Sequence, residues 1–190
     1  MKLLEEKIKE LGEIVDNDVL NVKSFLNQQM DTVLFKECAN EWLRIFEGEG
    51  VTKILTIEAS GIGLACITAS AFGAPALFAK KSTSPASLAT HFCSEVVSLT
   101  HGLAYDVSVP KSLISKDDRI LIIDDFLANG SAVRSLIDIV NQAGATLVGV
   151  GVAIEKTNRT AGDKLRKAGF RIEPLVKISK IDKNSGIEFV

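Results

Sequence analysis

Two adjacent carboxylates, Asp124 and Asp125, follow the apolar run Ile120-Leu-Ile-Ile. Like charges side by side repel, so a pair of this kind calls for a partner that makes it worthwhile. The hydroxyls of a ribose diol are such partners, since they donate to carboxylate oxygens. Gly130 comes five residues after Asp125, inside Ala128-Asn-Gly-Ser-Ala, and a helical pattern starts at Ser131. A helix N-terminus offers free N–H groups and a positive dipole end to a phosphate. Gly130 lets the backbone come close, and Ser131 adds a hydroxyl. Apolar strand, acid pair, small loop and helix together predict a site for a sugar phosphate.

Something must carry these groups to one place. The apolar run predicts a buried strand over Arg119–Asp125, followed by a helix over Ser131–Ala143. Further strands are expected at Val51–Ile57, Pro75–Ala79, Thr146–Ile154 and Phe170–Ile178. Helices are expected at Ile62–Phe72 and Thr160–Lys167, the latter closed by Gly169. Strands alternating with helices read as an α/β fold, an open and mainly parallel sheet covered on both faces. In such sheets the ligand sits beyond the carboxyl ends of the strands. The turn Glu58-Ala-Ser-Gly61, the polar loop from Lys80-Lys81 to Pro85, the acid pair with its loop, and Glu155-Lys156 all fall at such ends. Outside the alternation lie a helix over Lys2–Leu11, an irregular stretch 13–30, and a helix to about Phe46 capped by Asp31. This part reads as a small cap or hood. Residues 86–109 read as a hairpin or a mobile flap, and 179–190 as a closing hairpin around Asn184-Ser-Gly. The division expected is one domain, with 1–50 as cap, 51–178 as core and 179–190 as closing segment.

The 190 residues, 46% of them apolar and 24% charged, allow an ordinary globular core. A net charge of −2 argues against broad affinity for nucleic acid or membrane. Cys38, Cys66 and Cys93 make no C-x-x-C pair and no zinc spacing, so they read as small apolar residues in a reducing cytosol. The charged N-terminus is not a signal peptide, and the expected location is cytoplasmic. Ala59–Ala79 carries no charge, but it is rich in Gly, Ala, Ser and Thr and broken by Pro75. A helix and a buried strand fit it better than a membrane span. His91 and His101 have no triad or metal partner at recognisable spacing and are assigned no chemistry.

With these motifs in hand, the chain resembles the type I phosphoribosyltransferases, which use 5-phosphoribosyl 1-diphosphate (PRPP). Leu20 to Asn27, Glu58-Ala-Ser-Gly61, Phe126-Leu-Ala-Asn-Gly and Glu155-Lys156 together resemble the bacterial xanthine phosphoribosyltransferases, over nearly the whole length. The loop departs from the wider family, which usually carries Ala-Thr-Gly-x-Thr; Ser131 is the candidate to replace one missing hydroxyl. The resemblance implies that Ala128, Asn129, Gly130, Ser131 and Ala132 bind the 5′-phosphate of PRPP. It implies that Asp124 and Asp125 hold the ribose hydroxyls and that Glu58, Ala59, Ser60 and Gly61 meet the diphosphate. Lys80 or Lys81 would reach a diphosphate, in some members across a dimer interface. Leu20, Asn27 and Lys156 would contact the purine. On their own, Asn27 reads as a local turn residue and Lys156 as a solvated charge; the resemblance reverses both.

The implied reaction belongs to purine salvage: xanthine and PRPP give xanthosine 5′-monophosphate (XMP) and diphosphate. Xanthine has a carbonyl at position 2 where guanine has an amino group. The Asn27 amide can donate to that oxygen, though it can present either face and so tolerate guanine. Lys156 would donate to the 6-oxo group and stabilise the xanthine anion. Mg²⁺ is expected through substrate oxygens, with no metal held directly by the protein. A homodimer is expected from the same resemblance. Guanine or hypoxanthine as the preferred base is the nearer alternative. A PRPP-sensing transcription regulator is the more distant one, because the region before Val51 lacks a basic recognition helix.

Overall fold

The computed structural model describes residues 1–82, 87–97 and 104–190. His101 and part of the polar loop expected after Lys81 therefore lie outside the described residues. The chain opens with α1 (Lys2–Leu11), then a small hairpin of β1 (Glu13–Asp16) and β2 (Val19–Asn21), then a π-helical turn at Lys23–Asn27. Next come α2 (Thr32–Ile45), β3 (Lys53–Ile57), α3 (Gly61–Phe72) and β4 (Ala76–Ser82). Strands β5 (His91–Val97) and β6 (Ala104–Pro110) precede β7 (Arg119–Leu127) and α4 (Ser131–Gln142). The chain closes with β8 (Thr146–Lys156), α5 (Ala161–Lys167), β9 (Ile172–Asp182) and β10 (Gly186–Phe189).

Among the described residues, and apart from the β1–β2 hairpin, the strands form one sheet of eight in the order β10-β9-β8-β7-β3-β4-β6-β5. The five in the middle, β9 to β4, run parallel, while β10, β6 and β5 join antiparallel. Side chains alternate along a strand, and β7 shows it plainly. Leu121 and Ile123 pack on one face with residues of α1, α2 and α3. Ile120 and Ile122 pack on the other with residues of α4 and α5. A strand covered on both sides must be apolar throughout, as Ile120 to Ile123 are.

Local sequence explains how the helices seat. Asp31 caps α2 by accepting from Leu34 N at 3.0 Å, and its carboxylate pairs with Lys7 of α1 at 3.1 Å. The fully buried Trp42 of α2 lies against β8 at Gly151, where a Cβ would stand 2.7 Å from Trp42 Nε1 and 2.8 Å from Ile123 Cδ1. Glycine at 151 is what lets the indole reach the sheet. Cys38, buried in the same layer, has its thiol pushed up to about 12 by burial. At the far edge, β5 receives a side chain from α4. Gln142 Oε1 accepts from Cys93 N at 3.3 Å, and Gln142 Nε2 donates to Cys93 O at 2.7 Å.

Two expectations change. Lys80 and Lys81 sit in β4 and not in a loop, because β4 runs on past its parallel pairing with β3 to pair antiparallel with β6 at Lys80–Ser108 and Lys81–Val107. The stretch 13–30, expected to be irregular, holds a hairpin and a π-helical turn. Between 86 and 109 the described residues pair as antiparallel strands from His91–Pro110 to Val97–Ala104, the hairpin form of that expectation. Ala59–Ala79 divides into α3 and β4, and among the described residues no helix is long and apolar enough to cross a membrane.

Candidate active site

The carboxyl ends of β3 and β7 lie side by side, so the chain segments that leave them meet. Asp124 and Asp125 are still within β7 and are only 4% and 7% exposed. Asp125 Oδ1 accepts from Ser60 Oγ at 3.1 Å and from Phe126 N at 3.0 Å, and Asp125 Oδ2 accepts from Asn27 Nδ2 at 3.3 Å. One carboxylate thus gathers residues from three distant parts of the sequence: the π-helical turn, the turn before α3, and β7. Asp124 Oδ1 accepts from Asp125 N at 3.0 Å. Burial, and after it the neighbouring Asp125, push the Asp124 pKa well above its ordinary 3.8.

The N-terminus of α3 abuts this pair. A Cβ on Gly61 would stand 2.1 Å from Thr56 Oγ1 and 3.1 Å from Asp124 Oδ1, so glycine allows the close approach. Thr56 Oγ1 is buried and has no hydrogen-bond partner among the described residues. In the turn before α3 the Glu58–Ala59 peptide is cis. The Glu58 carboxylate reaches across to β4, where Oε1 accepts from Lys81 N at 2.6 Å.

The second helix N-terminus, that of α4, follows the acids. Gly130 adopts φ +75°, a left-handed conformation that favours glycine. Asn129 Oδ1 accepts from Ser131 N at 3.0 Å and from Ser131 Oγ at 2.8 Å, and Arg134 Nη2 donates to Asn129 O at 2.5 Å. The loop is therefore braced by its own side chains. Successive residues of a strand point to opposite faces, which separates the lysines of β4. Lys81 holds its ammonium 5.4 Å from the Tyr105 ring centroid, and its charge is felt at Asp124. Lys80 lines a separate cleft with Phe78, His91 and Ser108.

The three residues expected at a base differ in setting. Asn27 meets Asp125 directly. Leu20 is buried in the same hydrophobic cluster as Leu4 and Ile8. Lys156, half-buried at the end of β8, donates from Nζ to Asp18 O at 2.6 Å, and burial lowers its pKa. Sequence reasoning missed Thr56, Tyr105, Arg134 and Asp18. Asp18 alone left a signal, since Asn17-Asp18 between Ile14-Val15 and Val19-Leu20 is a hairpin pattern.

Comparisons with known proteins agree on the family. The phosphoribosyl transferase domain family matches residues 34–184. A curated relative named xanthine phosphoribosyltransferase from Ruminiclostridium cellulolyticum is 47% identical over 182 residues, 96% of each chain. One of the same name from Bacillus cereus is 42% identical over 190 residues, covering 100% of this chain and 96% of the relative. Among solved structures, an adenine phosphoribosyltransferase from Rhodothermus marinus aligns with a TM-score of 0.76 at 20% identity, over 93% of this chain and 99% of that one. Another from Thermoanaerobacter pseudethanolicus gives 0.73 at 22% identity, over 92% and 99%. These two show the fold, that of the type I phosphoribosyltransferases. The chain belongs to the phosphoribosyl transferase family.

Proposed function

We propose that this protein transfers the phosphoribosyl group of PRPP to xanthine, releasing XMP and diphosphate. The observation that carries the reading is the buried pair Asp124-Asp125 set between two helix N-termini, in a chain whose relatives from Ruminiclostridium cellulolyticum and Bacillus cereus are named xanthine phosphoribosyltransferase. One helix start, with Ala128 to Ala132, takes the 5′-phosphate. Asp125 and Asp124 take the ribose hydroxyls. Glu58 to Gly61 meet the diphosphate, with Lys81 at their side. Leu20, Asn27 and Lys156 contact the purine.

The chemistry needs no protein nucleophile. A ring nitrogen of the purine bonds to the anomeric carbon while the C–O bond to diphosphate breaks, through an oxocarbenium-like state. The protein's part is positioning and charge stabilisation. Carboxylates and hydroxyls are hard oxygen donors, so Asp124, Asp125 and Ser60 suit Mg²⁺ held through water and substrate oxygens. When bound, the ion neutralises the leaving diphosphate. Lys156 offers its remaining N–H groups to the 6-oxo group, and Asn27 offers its amide to the 2-oxo group.

We place the enzyme in the cytoplasm as a homodimer. The outer surface of α3 supports the dimer: this helix has no charged residue, yet Cys66 and Ser70 are exposed. Light scattering tests it, since a monomer would weigh 20.4 kDa. The assay for function supplies PRPP, Mg²⁺ and each purine in turn. XMP formation with the highest kcat/KM for xanthine is expected. No nucleotide from any base would sink the enzyme reading, and a large preference for guanine would sink the base assignment alone.

A further inference from the structure

Asp18, at the tip of the β1–β2 hairpin, has every polar atom engaged by a distant part of the chain. Its N–H donates to Ile181 O at 3.0 Å. Its carbonyl accepts from Lys156 Nζ at 2.6 Å, and its Oδ1 accepts from Asn158 Nδ2 at 2.8 Å. Its Oδ2 accepts from the Arg159 guanidinium. The backbone is left-handed, φ +65°, a conformation that Asp, Asn and Gly adopt more readily than other residues. Neighbouring contacts reinforce the attachment: Lys183 N donates to Asn17 Oδ1 at 3.2 Å, and Lys183 pairs with Asp16 at 3.7 Å. Burial alone would raise the Asp18 pKa, but Asn158, Lys156 and Arg159 outweigh it and hold the carboxyl below its usual range.

The segment that follows is fixed at both ends. Asp18 pins its start to the end of β8 and the turn Thr157–Arg159. Asn27 pins its finish to Asp125. Leu20 lies between. The same Asp18 carbonyl also takes one N–H of Lys156 and so sets where the other two point. We propose that Asp18 is a positioning residue for the purine subsite, aligning Leu20, Asn27 and Lys156 on the base without touching it. This rests on the reading of those three residues as base contacts. A hairpin that merely stabilised the fold would affect both substrates alike, whereas a positioning residue for the base affects one.

Two variants separate these outcomes. Asp18→Gly keeps the left-handed backbone and removes the carboxylate; Asp18→Asn keeps the backbone and the acceptor for Asn158. Losing charge-assisted hydrogen bonds predicts a rise of roughly tenfold in the KM for xanthine with Asp18→Gly. The KM for PRPP stays within about twofold, and Asp18→Asn, which keeps the acceptor for Asn158 but not the charge facing Arg159, recovers only part of the loss. An unchanged KM for xanthine, or equal rises for both substrates, overturns the proposal. Amide hydrogen exchange over residues 13–21 reads the attachment itself. Faster exchange in Asp18→Gly is expected, and unchanged exchange refutes the attachment. Wild-type protein that makes no XMP while this exchange difference persists would refute the base assignment and leave the attachment standing.

Discussion

Asp124 is held in two states of unequal comfort. Its burial favours the protonated form, while the ribose role proposed for it calls for the carboxylate. A carboxyl whose pKa is higher folded than unfolded binds its proton more tightly in the native chain. The stability it contributes is complete below the ordinary 3.8 and declines as pH climbs through the raised value. At neutral pH the residue therefore works against the fold. Asp124→Asn should melt higher than wild type at pH 7 in differential scanning calorimetry while losing turnover, the trade expected of a strained functional site. A lower melting temperature would contradict this. Ser60 and Asn27 both donate to Asp125 oxygens. Asp125→Asn should raise the KM for PRPP by roughly tenfold to a hundredfold, the weight of one or two charge-assisted hydrogen bonds. Asn27→Ala should mainly alter base preference. Because the two side chains touch, the double variant should depart from additivity by at least about 0.5 kcal/mol in initial-rate kinetics.

At the scale of elements, α2 and β8 show how little slack the site's support has. The missing side chain at 151 is filled by Trp42, whose Nε1 also donates to Glu173 O at 3.3 Å. Gly151→Ala forces a methyl into that contact and should cost about 1–3 kcal/mol in urea denaturation. A loss near zero would mean that α2 shifts freely. Elements of this kind were legible because their signals are local. The run Ile120 to Ile123 reads as a buried strand, and Asp31 before an apolar pattern reads as a helix cap. The acid pair and the loop after it were legible for the same reason, being contiguous. Other parts depend on partners far along the chain. Lys80-Lys81 reads as loop until β6 pairs with it, and a π-helical turn at Lys23–Asn27 has no dependable local signature. Thr56 is one more Thr in a strand until Gly61 packs against its hydroxyl. Lys156 gives no hint from sequence that a backbone carbonyl 138 residues away takes one of its hydrogens.

At the scale of the whole molecule, the sheet has two ends of different kinds. One is finished by the short β10. The other ends on β5, a seven-residue strand whose outer N–H and C=O groups face away from β6. Gln142 answers both backbone groups of Cys93 with a single side-chain amide, which has a donor and an acceptor spaced like those of a peptide. In effect a helix supplies one residue's worth of a ninth strand. The consequence is colloidal. An incoming chain that tried to add to this edge would have to displace Gln142 first, so the amide guards the protein against edge-to-edge aggregation. Gln142→Ala should leave PRPP and xanthine kinetics near wild type but hasten turbidity on mild heating at high protein concentration. Turbidity no faster than that of wild type would show that the edge is harmless without its guard.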